Sequence, residues 1–304
     1  MNHGRSLGSQ PPAPLVGALL GGRFRIESVL GWGGMGIVYL ARDHESGRSV
    51  AVKVLHGFLA DDETALVRFE RETQGLLAID HPGIVRVVAV GAHDEAGPFL
   101  AMEHVTGDSL SQVISTEAPL PIPRACAITV AILDALGAAH AAGLVHRDLK
   151  PDNVIMVRRD DTTRGEGVKI FDFGIAALIG TRPDLTPTGR TMGTPAYTSP
   201  EQVREGSSRD PRVDIYATGV LLYEMLTGAR PFSAPTLPEL CDRIIADPPT
   251  PMAAFQRGIP TDLEQIAICA LSKDPAQRFP EARSMAERLA PFTQPGAIVN
   301  RGHG

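Results

Sequence analysis

Cysteine is scarce in this chain: Cys126, Cys241 and Cys269 are the only thiols in 304 residues, and no two form a CxxC pair. A cysteine-built zinc site and a disulfide framework are therefore not expected; a reducing cytoplasm fits better, with all three as small core residues. Excess positive charge is missing too. The 29 Lys and Arg are outnumbered by 35 Asp and Glu, the net charge is -6, and no basic stripe is visible. Nucleic acid is accordingly not an expected partner. Long apolar runs are absent as well. The most apolar stretch, 127–145, is broken by Asp134 and His140 and has helical amphipathicity, so no membrane segment is expected in this chain. LVGALLGG near the N-terminus is too short for a secretory signal. No internal repeat appears, and a soluble, cytoplasmic protein is the expectation.

What the chain has is an ordinary globular balance, 43% hydrophobic and 21% charged residues, with length enough to bury a sizeable core. Residues 1–21 are rich in Gly, Ser, Pro and Gln and read as a flexible tail. RFRIESVL, GIVYLARD and SVAVKVL then read as strands, since Val, Ile and Tyr alternate with polar residues. Residues 61–79 read as a helix with an Asp cap, an acidic first turn and Leu66, Phe69, Leu76 and Leu77 on one face. IVRVVAVG and FLAMEHV are further strands. Past residue 105 helical patterns dominate, over 109–143 and again from 200, with short strands at VIMV and VKIF. The architecture is α+β: a small strand-rich lobe followed by a larger helical one.

Gly31, Gly33 and Gly36 satisfy GxGxxG, a weak signal alone. In a dinucleotide-binding fold such glycines open a helix. Here they lead into a strand that returns through HESGR as another strand, so a flap whose backbone N–H groups lie over phosphates fits better, glycine allowing the close approach. Lys53 lies on the returning strand, on the same side as Ala51 and Leu55. One lysine on a strand is ordinarily a surface side chain, but an apolar face calls for an anionic partner. Glu72, three residues after Phe69 and four before Leu76, projects from the buried side of the expected helix and supplies it.

The string HRDLKPDN occupies residues 146–153 and DFG follows at 172–174. Mixed-charge runs are usually solvated loops. Taken with GWGGMGIV, AVKVL, Glu72, GTPAYTSPE, DIYATGVLLYEMLTG and DPAQRF, in that order along the chain, the pattern resembles the protein kinase family, specifically bacterial Ser/Thr kinases of eukaryotic type. The resemblance covers about residues 22–291. It implies the two-lobed fold, a β-rich N-lobe with one helix over 22–105 and a helical C-lobe over 106–291, with a tail at 292–304.

The resemblance also implies roles. Asp148 accepts or orients the acceptor hydroxyl, Lys150 steadies the γ-phosphate, and Lys53 with Glu72 completes the catalytic set. Asn153 and Asp172 hold Mg2+, with Mn2+ as the alternative metal. Around ATP it places Leu30, Gly31, Gly33, Gly36 and Val38 at the glycine turn. Ala51 and Ile155 lie against the base, Met102 behind the adenine pocket, Glu103 to Val105 at the hinge, and Asp108 at the ribose. Glu201 with Arg278 forms a buried structural ion pair, Asp214 caps the catalytic loop, and His146 and Phe173 belong to an apolar column. Lys150 goes with Ser/Thr acceptors on protein substrates.

Two rivals lose ground on residues. A nucleotide-binding pseudokinase scaffold would lack counterparts of Lys53, Asp148 or Asp172, and a small-molecule phosphotransferase would lack GTPAYTSPE, the segment read as the substrate loop. GDSL at 107–110 has no downstream DxxH partner and reads as coincidence, not an esterase. Between DFG and SPE, Thr186 and Thr188 stand where related kinases autophosphorylate, which implies a loop ordered through Arg147 and a transient homodimer for transfer in trans.

Overall fold

The computed structural model describes residues 15–33, 36–55, 73, 75–93, 96–158, 166–173, 195–206 and 208–294. They fall into two compact units. One comprises residues up to 73 together with 87–104, the other 74–86 together with 105 onward.

The first unit is a six-stranded antiparallel sheet in the order β1-β2-β3-β4-β6-β5. Its strands are β1 (Leu19–Leu20), β2 (Phe24–Gly33), β3 (Gly36–Asp43), β4 (Ser49–Leu55), β5 (Val87–His93) and β6 (Gly97–Glu103). Val50, Val52 and Val54 of β4 join Ile37, Tyr39 and Ala41 of β3 in one apolar cluster with Phe24, Phe99 and Leu20. The period of two then turns Ala51, Lys53 and Leu55 to the opposite face.

Two sequence expectations need correction here. The tail assigned to residues 1–21 ends too late: Leu20 is fully buried in the sheet's core and pairs with Phe24. A two-residue strand leaves no periodicity to read. The signal is the turn that follows, where Gly21 and Gly22 both take positive φ, +56° and +66°, and the Arg23 amide donates to the Leu20 carbonyl at 3.0 Å. The strand IVRVVAVG begins at Val87, not at residue 84. Residues 83–85 instead run beside Ile170, whose amide donates to the Gly83 carbonyl and whose carbonyl accepts from the Val85 amide, both at 2.9 Å. Of the helix expected over 61–79, residues 73 and 75–77 are described and helical; Glu72 lies outside the described residues.

The second unit carries a three-stranded sheet, β7 (Asp108–Ser109), β8 (Val154–Arg158) and β9 (Glu166–Ile170), with seven described helices. These are α1 (Leu110–Glu117), α2 (Ile122–Ala141), α3 (Pro200–Glu205), α4 (Arg212–Thr227), α5 (Leu237–Ala246), α6 (Thr261–Ala270) and α7 (Ala282–Leu289). From Val213 to Thr227 only Glu224 of α4 is not buried. A helix covered on every side is the unit's central post. Gly219 lets α6 approach it, because a Cβ there would stand 2.7 Å from Ala270 Cβ. Gly228, at φ +70°, ends the helix in the left-handed conformation that glycine adopts without strain. By length and composition α2 could cross a membrane, yet half of its apolar window is buried, and it packs on α4, α7 and β9 as a core helix.

Candidate active site

In the first unit, β2 and β3 meet antiparallel with Trp32 opposite Ile37 and Gly33 opposite Gly36. The glycines thus join two strands, as the sequence led one to expect. Gly36 has a hard steric reason: a Cβ would lie 2.1 Å from the Val54 carbonyl oxygen on the neighbouring β4. Gly31 and Gly33 face open space, where a side chain would fit without clash but would stand in the way of anything approaching the backbone. Cross-strand partners share a face, so the register sets Gly31, Val38, Lys53 and Leu100 together, and Ala51 with Leu40 and Met102 beside them. Lys53 is 5% exposed, which fits its reading as an ammonium held inside instead of in solvent. Leu30 sits in a bulge of β2 and is exposed, and Glu103 ends β6 opposite Val50.

In the second unit, residues 146–153 form a loop whose backbone is held from three directions. Asp214, 1% exposed near the start of α4, accepts from the His146 amide through Oδ2 and from the Arg147 amide through Oδ1, each at 2.8 Å. His140 Nε2 of α2 meets the same Oδ2 at 2.8 Å. His146 is fully buried. The Asp148 amide donates to its Nδ1 at 3.3 Å, so Nε2 carries the ring proton and donates to the Phe171 carbonyl at 2.9 Å. The ring also lies 4.7 Å from that of Phe173. From α3, Gln202 Nε2 donates to the Arg147 carbonyl at 2.8 Å.

This frame presents the chemistry. Lys150 Nζ donates to Asp148 Oδ2 at 2.7 Å, with the Asp148 side chain 37% exposed and that of Lys150 22% exposed. A carboxylate and an ammonium are thus paired within reach of solvent. Asn153, 4% exposed, uses its amide Nδ2 on the Asp148 carbonyl at 2.8 Å, which leaves Oδ1 as the coordinating end of the side chain. The Phe171 amide donates to the Asn153 carbonyl at 3.1 Å, which brings Asp172 next to it in the chain. Arg147 and Asp172 both take left-handed backbone, at φ +66° and +65°. Such non-glycine residues persist where surroundings over-determine them, and they cluster at functional sites. Among the described residues no group of three or more His, Cys, Asp or Glu could hold a metal ion. A pair of hard oxygen donors, Asn153 Oδ1 and the Asp172 carboxylate, fits a metal completed by phosphate and water oxygens better than a protein-only cage.

Other expected residues are placed as follows. Ile155 is half-buried and pairs with Ser109, while Asp108 is exposed and pairs with Met156, so the two occupy neighbouring rungs. Val105 follows β6 and is half-buried. The GDSL string has structural duties: a Cβ at Gly107 would lie 2.1 Å from the Met156 carbonyl, and Ser109 caps α1 by accepting from the Gln112 amide at 3.1 Å. Glu201 and Arg278 form a two-pronged buried pair, both contacts 2.7 Å. Burial alone would raise the Glu201 carboxyl, but the Arg278 guanidinium outweighs it and holds the group below its usual range. Arg278 also donates to the Ser272 and Arg212 carbonyls and lies over the Tyr216 ring. Thr186 and Thr188, and Thr194 of the GTPAYTSPE string, lie outside the described residues. The sequence reading missed His140 and Gln202, whose partners are 74 and 55 residues away; no local pattern marks them.

Comparison with known proteins agrees with this geometry. A model of the protein kinase domain family matches residues 24–289. The serine/threonine-protein kinase PknB of Mycobacterium leprae is 39% identical over 273 residues, which cover 89% of this chain and 43% of that protein. Pkn3 of Myxococcus xanthus is 37% identical over 279 residues, 90% of this chain and 50% of its own length. The chain thus spans about half the length of these relatives. Among solved structures, the Mycobacterium tuberculosis PknI kinase domain superposes with a TM-score of 0.70 at 29% identity, covering 90% of this chain and 98% of that one. The strand-rich and helical units are those of the α+β kinase fold, and the chain belongs to the protein kinase family, in the bacterial serine/threonine group of eukaryotic type.

Proposed function

We propose that this protein transfers the γ-phosphoryl group of ATP to serine and threonine hydroxyls of protein substrates, in the cytoplasm. The observation that carries the reading is Asp148: a carboxylate on a loop fixed by Asp214, His146 and Asn153, paired at 2.7 Å with Lys150 and still open to solvent. Phosphoryl transfer asks for positioning and charge neutralisation more than for covalent chemistry. Asp148 orients the acceptor hydroxyl and takes its proton. Lys150 holds the transferring phosphate, and Lys53, partnered by Glu72, holds the phosphates of bound ATP. Backbone N–H groups of the turn at Gly31, Gly33 and Gly36 cover those phosphates, while Leu30, Val38, Ala51, Met102, Glu103, Val105, Asp108 and Ile155 take the adenosine. Residues 193–201, GTPAYTSPE, take the acceptor segment.

Protein kinases use a divalent metal with ATP, and Mg2+, or Mn2+ in its place, is our reading here, held by Asn153 and Asp172. Bound there, it would offset the charge on the phosphate oxygens during transfer. No residue favours the nucleotide-binding scaffold. The test is radiolabel transfer from ATP to a protein acceptor with mass spectrometry of the product. Wild type should yield phosphoserine or phosphothreonine. Asp148→Asn should bind ATP normally while turnover falls about a hundredfold or more. Undiminished transfer by Asp148→Asn would remove Asp148 from the mechanism.

A further inference from the structure

Gln202, the residue after Glu201 on α3, is 6% exposed and has both ends of its amide committed. Oε1 accepts from the Ser199 amide at 3.2 Å and from the Ser199 hydroxyl at 3.0 Å. Nε2 donates to the Arg147 carbonyl at 2.8 Å. That carbonyl belongs to the peptide group that joins Arg147 to Asp148, and the same peptide's N–H is the one bonded to His146 Nδ1. Both polar ends of one peptide plane are therefore tied. Arg147 sits at φ +66°, which a residue with a Cβ adopts only against a steric penalty. The Asp214 bond to the Arg147 amide fixes the entry to this conformation; the Gln202 bond fixes its exit, toward Asp148.

We propose that Gln202 is a positioning residue for phosphoryl transfer: its amide locks the peptide between Arg147 and Asp148 to the segment 195–202, so that the Asp148 carboxylate is aimed only while that segment is seated. The inference rests on the phosphotransfer reading and adds to it a link between the acceptor segment and the base. Glutamine suits the task because one side chain must accept at Ser199 and donate at Arg147. Glutamate of the same length keeps the acceptor but turns a second acceptor toward a carbonyl; methionine supplies neither.

Two substitutions separate positioning from simple capping of α3. Were Gln202 only a cap, Gln202→Glu would be harmless and Gln202→Met damaging. As a positioning residue, both should lower kcat by about tenfold to a hundredfold, with KM for ATP within about twofold of wild type. Hydrogen exchange of peptides spanning 145–149 should quicken in both. Wild-type kcat in Gln202→Glu, or unchanged exchange in both variants, overturns the proposal. If Gln202→Met does not fold, Gln202→Glu decides alone, since it retains the contact to Ser199. Should the wild-type chain transfer no phosphate, the function fails, and the exchange measurement still decides whether Gln202 holds the loop.

Discussion

Asp43 is 1% exposed and its carboxylate takes four hydrogen bonds, from Arg23 Nε and Nη2, the Ser46 hydroxyl and the Glu45 amide. Together they close the turn between β3 and β4. Arg23 foremost, with Ser46 and the Glu45 amide, outweighs burial and holds the carboxyl well below its usual range. A carboxyl depressed in the folded state contributes stability that is present above its unfolded value, near pH 4, and is lost as pH falls toward the folded one. Asp43→Asn should therefore cost about 2–3 kcal/mol at neutral pH, and the gap to wild type should narrow as pH drops below about 4. Urea unfolding across pH checks this; a gap constant with pH removes Arg23 and Asp43 from acid sensitivity. Lys53 offers a second case at this scale. If Glu72 is its partner, Lys53→Met and Glu72→Gln should each cripple transfer, and the double variant should be little worse, because residues acting as one unit are non-additive. Additive losses in kinetic assays would separate the two. The burial of Lys53 was legible from strand alternation, since its strand is an uninterrupted period of two. The role of Asp43 was not, because Arg23 is 20 residues upstream, in the turn between β1 and β2.

Elements were legible where periodicity runs long. The strands β2, β3, β4 and β6 and the helices α1 and α2 stand close to the stretches that their apolar spacing marked. Short pieces such as Leu19–Leu20 were not, and residues 84 and 85 were misread as strand because β9, some eighty-five residues later, runs beside them and takes the Val85 amide. The same distinction runs through the site. HRDLKPDN announces Asp148, Lys150 and Asn153 as one string, and the resemblance adds Asp214 of α4, whereas His140 of α2 and Gln202 of α3 join the frame by contacts with no local signature. Joining α3 to the loop before α7 is the pair of Glu201 with Arg278. Removing one partner leaves the other charge buried, so Glu201→Gln or Arg278→Met should each lower the stability of this domain by about 3–5 kcal/mol. Denaturant midpoints measure it, and a loss below about 1 kcal/mol would demote the pair to a surface-like contact.

At the scale of the whole molecule, activity in a protein of this kind depends on more than a well-made loop. Arg147 stands beside Asp148 with its amide on Asp214 and its carbonyl on Gln202, so its backbone is fixed while its guanidinium is the group that related kinases turn to a phosphorylated residue. A phosphothreonine brings a charge of about -1.5 to -2 and oxygens that match a guanidinium fork. Thr186 and Thr188 stand eight and six residues before Thr194 along the chain, with Pro187 between them. Autophosphorylation at these two positions, by one copy on another in a transient encounter, should raise activity by about tenfold, the size of an ordinary coupling between two sites. Phosphosite mapping of wild type against Asp148→Asn should find phosphate on Thr188 and Thr186 only in the active protein. Thr186→Ala combined with Thr188→Ala should lower turnover by the same factor, and dilution should slow the modification if it occurs in trans. Full activity in the double variant, or active protein with neither threonine modified, would defeat the switch while leaving Asp148 and its frame untouched. Thr194, six residues beyond Thr188, is expected to act within the acceptor segment instead, so Thr194→Ala should impair transfer whether or not the loop is phosphorylated.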